Sequence, residues 1–213
     1  MSETVVTARR SQTRERLMDA AVSLFASKGV LGASVEEICE RAEFTRGAFY
    51  SNFADKDDLC LAVLNRQAAR ELAATQTAVA SVREQVRCAR TIDDLIGSAL
   101  DVFLATQPRS SEDLVAGLEL RLYAVRNPGL RAPLMALNER MTQEIGGLLR
   151  AVVEQVGSRL HLPMDEAIDL LHAVYSHSGL TALLQGLEPD DGSRRRLLTE
   201  LLKSLVTEPD AAG

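Results

Sequence analysis

The chain has 213 residues, 46% of them hydrophobic, with no Trp and only 4% aromatics; it is long enough for a packed core and too poor in β-branched alternation for a sheet protein. Its formal net charge of -6 excludes a uniformly basic nucleic-acid coat. Residues 1–66 nevertheless hold nine basic against ten acidic side chains, and Arg9, Arg10, Arg14 and Arg16 crowd together with only Glu15 opposing them. A local basic patch on an acidic body suits DNA at one face and disfavours non-specific coating. The start lacks the apolar core of a signal peptide, and no run reaches the length of a membrane span, so a cytoplasmic protein without a membrane partner is expected.

In chain order, the first ten residues read as a mobile arm. Leu17, Ala20, Ala21, Leu24 and Phe25 then form one stripe of a helix over Ser11–Lys28, with Gly29 as its stop. Ser34 caps a second helix with Glu36 and Glu37 in its first turn and Val35, Ile38, Cys39 and Ala42 on its buried face. The chain breaks at Glu43-Phe44, and Thr45 caps a short helix reaching about Asn52. Asp55, with Asp58 three residues on, starts a fourth helix that continues through Leu59, Val63 and Leu64 towards Thr75–Arg87. Further helices follow. Thr91 precedes one with a stripe through Leu95, Ala99, Val102 and Phe103, and Ser110 precedes one reaching Arg126. After the turn Asn127-Pro128-Gly129, a long helix runs from about Leu130 to Arg159, despite Gly146-Gly147. Pro163 opens one over Met164–Gln185, and Pro189 precedes a last one from about Asp190 to Val206. The tail from Thr207 on reads as frayed. The expectation is all-α, with about nine helices and no strand.

The stretch Ser34–Phe53, SVEEICERAEFTRGAFYSNF, has the spacing of a helix-turn-helix. Thr45, Arg46, Gly47 and Ala48 are small or basic, which lets a helix backbone approach base edges in a major groove. Phe49 and Phe53, four apart, point to a core, while Tyr50, Ser51 and Asn52 face away with groups suited to phosphates. Lys56 sits in the first turn of the next helix, where its cation and free N–H groups could meet one phosphate. Arg9, Arg10 or Arg14 could reach DNA as an N-terminal arm.

The run from Thr13 to Val63, with TRERLMDAAVSLFASKGV, SVEEICERA and TRGAFYSNFADKDDL, resembles the TetR family of regulators. The resemblance implies an all-α homodimer that represses from a palindromic operator and is released by a small molecule. A three-helix DNA-binding head over residues 1–66 would join a ligand-binding, dimer-forming body over 67–213. It implies that Ser34, Tyr50, Asn52 and Lys56 touch phosphates. Arg46 and Gly47 approach bases, with Thr45 and Ala48 beside them, and Arg10 and Arg14 complete the DNA face. The family usually has Gly where this chain has Glu43, so a strained turn is expected there. Many relatives have His where this chain has Asn52.

The body is less explicit. Phe103, Arg121, Tyr123 and Tyr175 are candidate ligand contacts, and low aromatic content points to a fairly apolar effector. By the family's use of its last two long helices, the dimer forms near 164–185 and 190–206, with Ala167, Ala173, Ser176, Gly179 and Ala182 and the leucines 197, 198, 201, 202 and 205 as its surface. Cys39, Cys60 and Cys88 lack metal-ligand spacing and read as buried thiols. His172 and His177, five apart, do not share a helix face. With no glycine-rich phosphate loop, zinc signature or nucleophile elbow, no enzyme, cofactor, catalytic residue or metal is expected. An adaptor of the same fold without DNA binding is disfavoured by the intact basic and small residues of the third helix.

Overall fold

The computed structural model describes residues 2–88, 92–107, 110–155, 159–188 and 191–207, and among them are nine helices. They divide into two compact units: Met1–Gln67 with Glu112–Leu137, and Ala68–Ser111 with Asn138–Gly213. Residues 112–137 thus group with the N-terminal segment.

In the first unit, α1 spans Ser2–Gly32, so the segment expected to be a mobile arm is already helical. Nothing between Ser2 and Arg10 breaks a helix. Gly29 does break α1: its φ of 73° is left-handed, and a Cβ there would lie 2.9 Å from Glu119 Oε2. Helix α2 (Val35–Ala42) starts in a reciprocal capping box in which the Ser34 hydroxyl accepts from Glu37 N and Glu37 Oε2 accepts from Ser34 N. Lys28 and the Ser34 donors hold the Glu37 carboxyl down at about 2. Helix α3 is short, Arg46–Tyr50, ending before the expected Asn52. Helix α4 (Lys56–Cys88) begins with Asp55 accepting from Asp58 N and Asp58 accepting from Ala54 N, the acidic box expected there. Leu17, Phe25, Ile38, Phe49, Phe53 and Leu59 are fully buried and join α1–α4 in one core.

Helix α6 (Ser111–Arg126) and the start of α7 (Pro128–Gln155) complete this unit. Helix α7 begins at Pro128 rather than Leu130, where the fixed φ of proline favours a first helical position. Glu119 and Tyr123 on α6 and Asn127 just beyond its end follow at intervals of four. Glu119 packs on Gly29, while the Tyr123 hydroxyl and Asn127 amide donate to Asp57 at 2.8 and 2.7 Å.

The second unit holds the remainder of α4 and α7 together with α5 (Ile92–Thr106), α8 (Met164–Leu184) and α9 (Asp191–Leu205). Ile96, Leu100, Phe103, Leu171, Tyr175, Leu198 and Leu202 form its core. Thr91, Pro189 and Asp190, read as helix starts, lie outside the described residues. The all-α class expected from the sequence holds, with one small addition among the described residues: Arg159–Leu160 (β1) pairs antiparallel with Val206–Thr207 (β2), and His161 N donates to Leu205 O at 2.9 Å. This two-residue ladder satisfies backbone groups beyond the ends of α7 and α9. Thr207 therefore belongs to a ladder and is not frayed.

Candidate nucleic-acid interface

Thr45 starts α3 as its N-cap: its hydroxyl accepts from Ala48 N at 3.2 Å. Phe49 and Phe53 turn inward, 0% and 1% exposed. That leaves Thr45, Arg46, Gly47, Tyr50 and Ser51 exposed and Ala48 half-buried on the outer side. Gly47 has no side chain within 3.4 Å of the place a Cβ would take, so its value to a close approach lies in smallness. Arg46 pairs with Glu36 of α2 at 2.6 Å, with both side chains more than half exposed. The Tyr50 hydroxyl and then Glu36 push the Arg46 pKa further up, so it is a permanent cation held by a weak, exchangeable partner.

Other candidates are engaged within the fold. Lys56 Nζ donates to Val30 O at 2.9 Å and Ala33 O at 3.2 Å, closing the end of α1. An ammonium has three donors, of which these carbonyls take two, and Nζ also lies 6.0 Å from the centroid of the Tyr123 ring. Asn52 is 9% exposed and donates to Ala48 O at 2.8 Å, so its side chain completes α3 from within instead of facing away. Ser34 is half-buried in its capping box. Arg10 donates to Ser51 O at 3.2 Å, and Arg14 donates to Asn52 O. Both arginines, read as arm contacts, thus reach the far end of α3. That long-range placement was invisible in local sequence.

The turn before α3 carries the expected departure. Glu43 is left-handed, φ 59° and ψ 41°, and is the only non-glycine residue with positive φ among the described residues. Its carboxylate pairs with Arg16 at 2.8 Å. Sequence reading missed Arg16, Glu36 and Asp57 as parts of this site. Only the charge pattern could have flagged them, since their partners lie up to 70 residues away.

Phe103 and Tyr175 are core residues, 6% and 3% exposed, with rings edge to face at 6.0 Å. Tyr123 belongs to the first unit and spends its hydroxyl on Asp57, and Arg121 is an exposed residue of the same helix. The second unit instead has a groove of about 490 Å³ between α4 and α5, lined by Ala73, Ala74, Thr77, Ala78, Asp101 and Val102. The expected dimer surface also splits. Leu198, Leu202, Leu205, Ala167 and Gly179 are buried within the protomer, whereas Leu170, Ala173, His177, Leu180 and Leu184 form an exposed stripe along α8, with Leu197 exposed on α9. Cys39 and Cys60 are buried, and burial pushes the Cys60 thiol up to about 12; the Cys88 side chain lies outside the described residues. His172 lies 3.6 Å from Glu71. No group of three or more potential metal ligands occurs among the described residues, and no described helix is long and apolar enough to cross a membrane.

Residues 17–63 match the family model described as bacterial regulatory proteins, tetR family. The HTH-type transcriptional regulator AcrR of Shigella flexneri is 46% identical over 48 residues, which is 22% of this chain and 22% of that protein. This likeness therefore spans about a fifth of the relative's length. The HTH-type transcriptional regulator UidR of Escherichia coli K12 is 27% identical over 194 residues, covering 82% of this chain and 92% of that protein. Among solved structures, the multidrug binding protein EbrR complexed with imidazole superposes with a TM-score of 0.56 at 25% identity, covering 93% of this chain and 97% of that one.

Proposed function

We propose that the chain, whose residues 17–63 match the family model of tetR-type bacterial regulators, is a homodimeric repressor of that family whose α3 helices enter adjacent major grooves of a palindromic operator. The observation that carries this reading is the division of α3: Phe49 and Phe53 are sealed into the core, while Thr45, Arg46, Gly47 and Tyr50 are left exposed on a capped helix. Arg46 exchanges Glu36 for a base edge, Gly47 and Ala48 permit close approach, and Thr45 lies beside them. Ser34, Tyr50 and the remaining donor of Lys56 meet phosphates.

Dimerisation uses the exposed α8 stripe from Leu170 to Leu184 with Leu197 of α9. Burying these side chains removes apolar surface that a monomer would leave in water. The paired heads must then lie about 34–36 Å apart, or at a multiple of that, to meet successive grooves. A small, fairly apolar effector occupies the α4–α5 groove, whose volume falls within the usual range for ligand sites. The description of the EbrR neighbour as a multidrug binding protein supports a small-molecule effector. Helix α4 continues unbroken from the grooved unit into the head, so displacing it changes head spacing and releases DNA.

Selection of duplexes from a random library by the purified chain, followed by footprinting, tests the reading. A palindromic consensus bound at two protomers per site is expected, with discrimination at one base position relaxed by Arg46→Ala. Recovery of no consensus sequence, with Arg46→Ala indistinguishable from wild type, would favour the non-DNA-binding adaptor.

A further inference from the structure

Helix α3 has five residues, far below the length at which a helix holds itself in water. Its last carbonyls need outside donors. Gly47 O accepts from Ser51 N, and Ala48 O accepts from the Ser51 hydroxyl and the Asn52 amide. Phe49 O accepts from Asn52 N and Phe53 N, and just beyond the helix the Ser51 and Asn52 carbonyls are taken by Arg10 and Arg14 from α1. The Arg14 guanidinium also lies 4.2 Å over the buried ring of Phe53. At the opposite end, Arg16 donates to Ala42 O at 2.9 Å and lies 4.8 Å over the ring of Phe44, just before the Thr45 cap. The same device thus occurs on both sides of α3: a phenylalanine flanking the helix, an α1 guanidinium over its ring, and a backbone carbonyl taken by that guanidinium. On a helix of 3.6 residues per turn, Arg14 and Arg16 flank the buried Leu17 on opposite sides, so one packed helix presents both clamps.

We propose that Arg14 and Arg16 are positioning residues that set the orientation of α3 from its two ends, with Arg10 seconding Arg14, and that base discrimination depends on them without their contacting DNA. The proposal rests on the reading of α3 as a recognition helix. Base-edge contacts need placement to within about half an ångström, whereas attraction to phosphates tolerates a loosened helix. A lysine keeps the charge but can neither stack its head flat on a ring nor present a planar fork.

The test uses the full-length chain, the duplex that the wild type selects from a random library, and a scrambled duplex of the same length. Arg14→Lys and Arg16→Lys should each weaken the selected duplex by tenfold or more while leaving scrambled-duplex affinity and the salt slope unchanged. Because either variant could loosen the whole head, hydrogen exchange is read on the DNA-free proteins as well. Amides of residues 49–53 should exchange at least tenfold faster, with those of α1 and α4 unchanged. Equal loss on both duplexes, with the salt slope of Arg14→Gln lowered by about one unit, would make Arg14 a phosphate contact and overturn the proposal. Unchanged α3 exchange in both lysine variants would overturn it too. If the wild type selects no duplex, the recognition-helix reading fails, and the exchange experiment still decides whether the clamps exist.

Discussion

Glu43→Gly and Glu43→Ala, made side by side, isolate the cost of the turn that leads into α3. Glu43 sits at φ 59°, ψ 41°, a left-handed conformation that costs a residue bearing a Cβ roughly 1–2 kcal/mol. Both substitutions delete the same Arg16–Glu43 ion pair, whose side chains are 46% and 81% exposed and whose contribution is therefore about 0.2–1 kcal/mol. Both leave Arg16 its bond to Ala42 O. Against wild type, glycine relieves the strain but loses the ion pair and about 0.4–1 kcal/mol through the greater freedom of the unfolded chain, so little net change is expected. Against alanine the ion pair cancels, and glycine should be the more stable by about 0.5–1 kcal/mol. For a chain of 213 residues this is about 1–4 °C in melting temperature. Thermal melts at one protein concentration, because any self-association makes the midpoint concentration-dependent, with urea midpoints alongside, provide the measurement. An alanine variant as stable as the glycine variant would show that the turn carries no strain and refute the reasoning.

Other outcomes follow from the same geometry. Arg46→Ala should cost about 1–3 kcal/mol on the selected duplex if its contact is bidentate, and Glu36→Ala should tighten binding by roughly 1.5- to 5-fold, because it frees Arg46 from an exposed pair worth up to about 1 kcal/mol; anisotropy titrations at fixed salt read both, and weaker binding by Glu36→Ala would exclude it as a competitor. Tyr123→Phe removes a hydroxyl bonded to the Asp57 carboxylate at 2.8 Å and should destabilise the chain by about 1 kcal/mol, visible in urea unfolding; no change would mean the bond is not made in solution. Leu180→Glu with Leu184→Glu places two charges on the α8 stripe and should yield monomers by sedimentation while helicity is kept. A double variant with the same sedimentation coefficient as the wild type would refute the proposed α8 interface. The Cys60 thiol, buried and pushed up to about 12, should resist a disulfide reagent at pH 8 until denaturant is added, and rapid labelling of Cys60 in the native protein would contradict its burial.

The head was largely legible because its signals are local. Ser34 and Thr45 are caps, Gly29 ends the helical run of α1, and the acidic pair Asp55 and Asp58 opens α4, each acting within four residues of itself. The inward turn of Phe49 and Phe53 follows from helical spacing, and the left-handed Glu43 was expected from the glycine that the family resemblance implies there. The packing of the body's aromatic side chains was less legible. An aromatic on an apolar stripe reads the same whether it fills a core, as Phe103 and Tyr175 do, or lines a groove. The leucines of α9 were equally ambiguous, since Leu198 and Leu202 serve the protomer core and Leu197 is exposed.

The amino-acid sequence by itself determined that this chain is helical, where most of its helices begin, and that it carries a helix-turn-helix with a small and basic outer face, because periodicity and capping are properties of neighbouring residues. Tertiary structure alone decided what the charged side chains do. Arg10 and Arg14 lie 41 and 38 positions from the carbonyls they hold, Lys56 lies 26 from Val30, and Asp57 lies 66 from Tyr123. A long flexible side chain on a helix surface can serve solvent, DNA or a distant carbonyl equally well, and only the packing of α1 and α6 around the head brings one of these partners within hydrogen-bond reach.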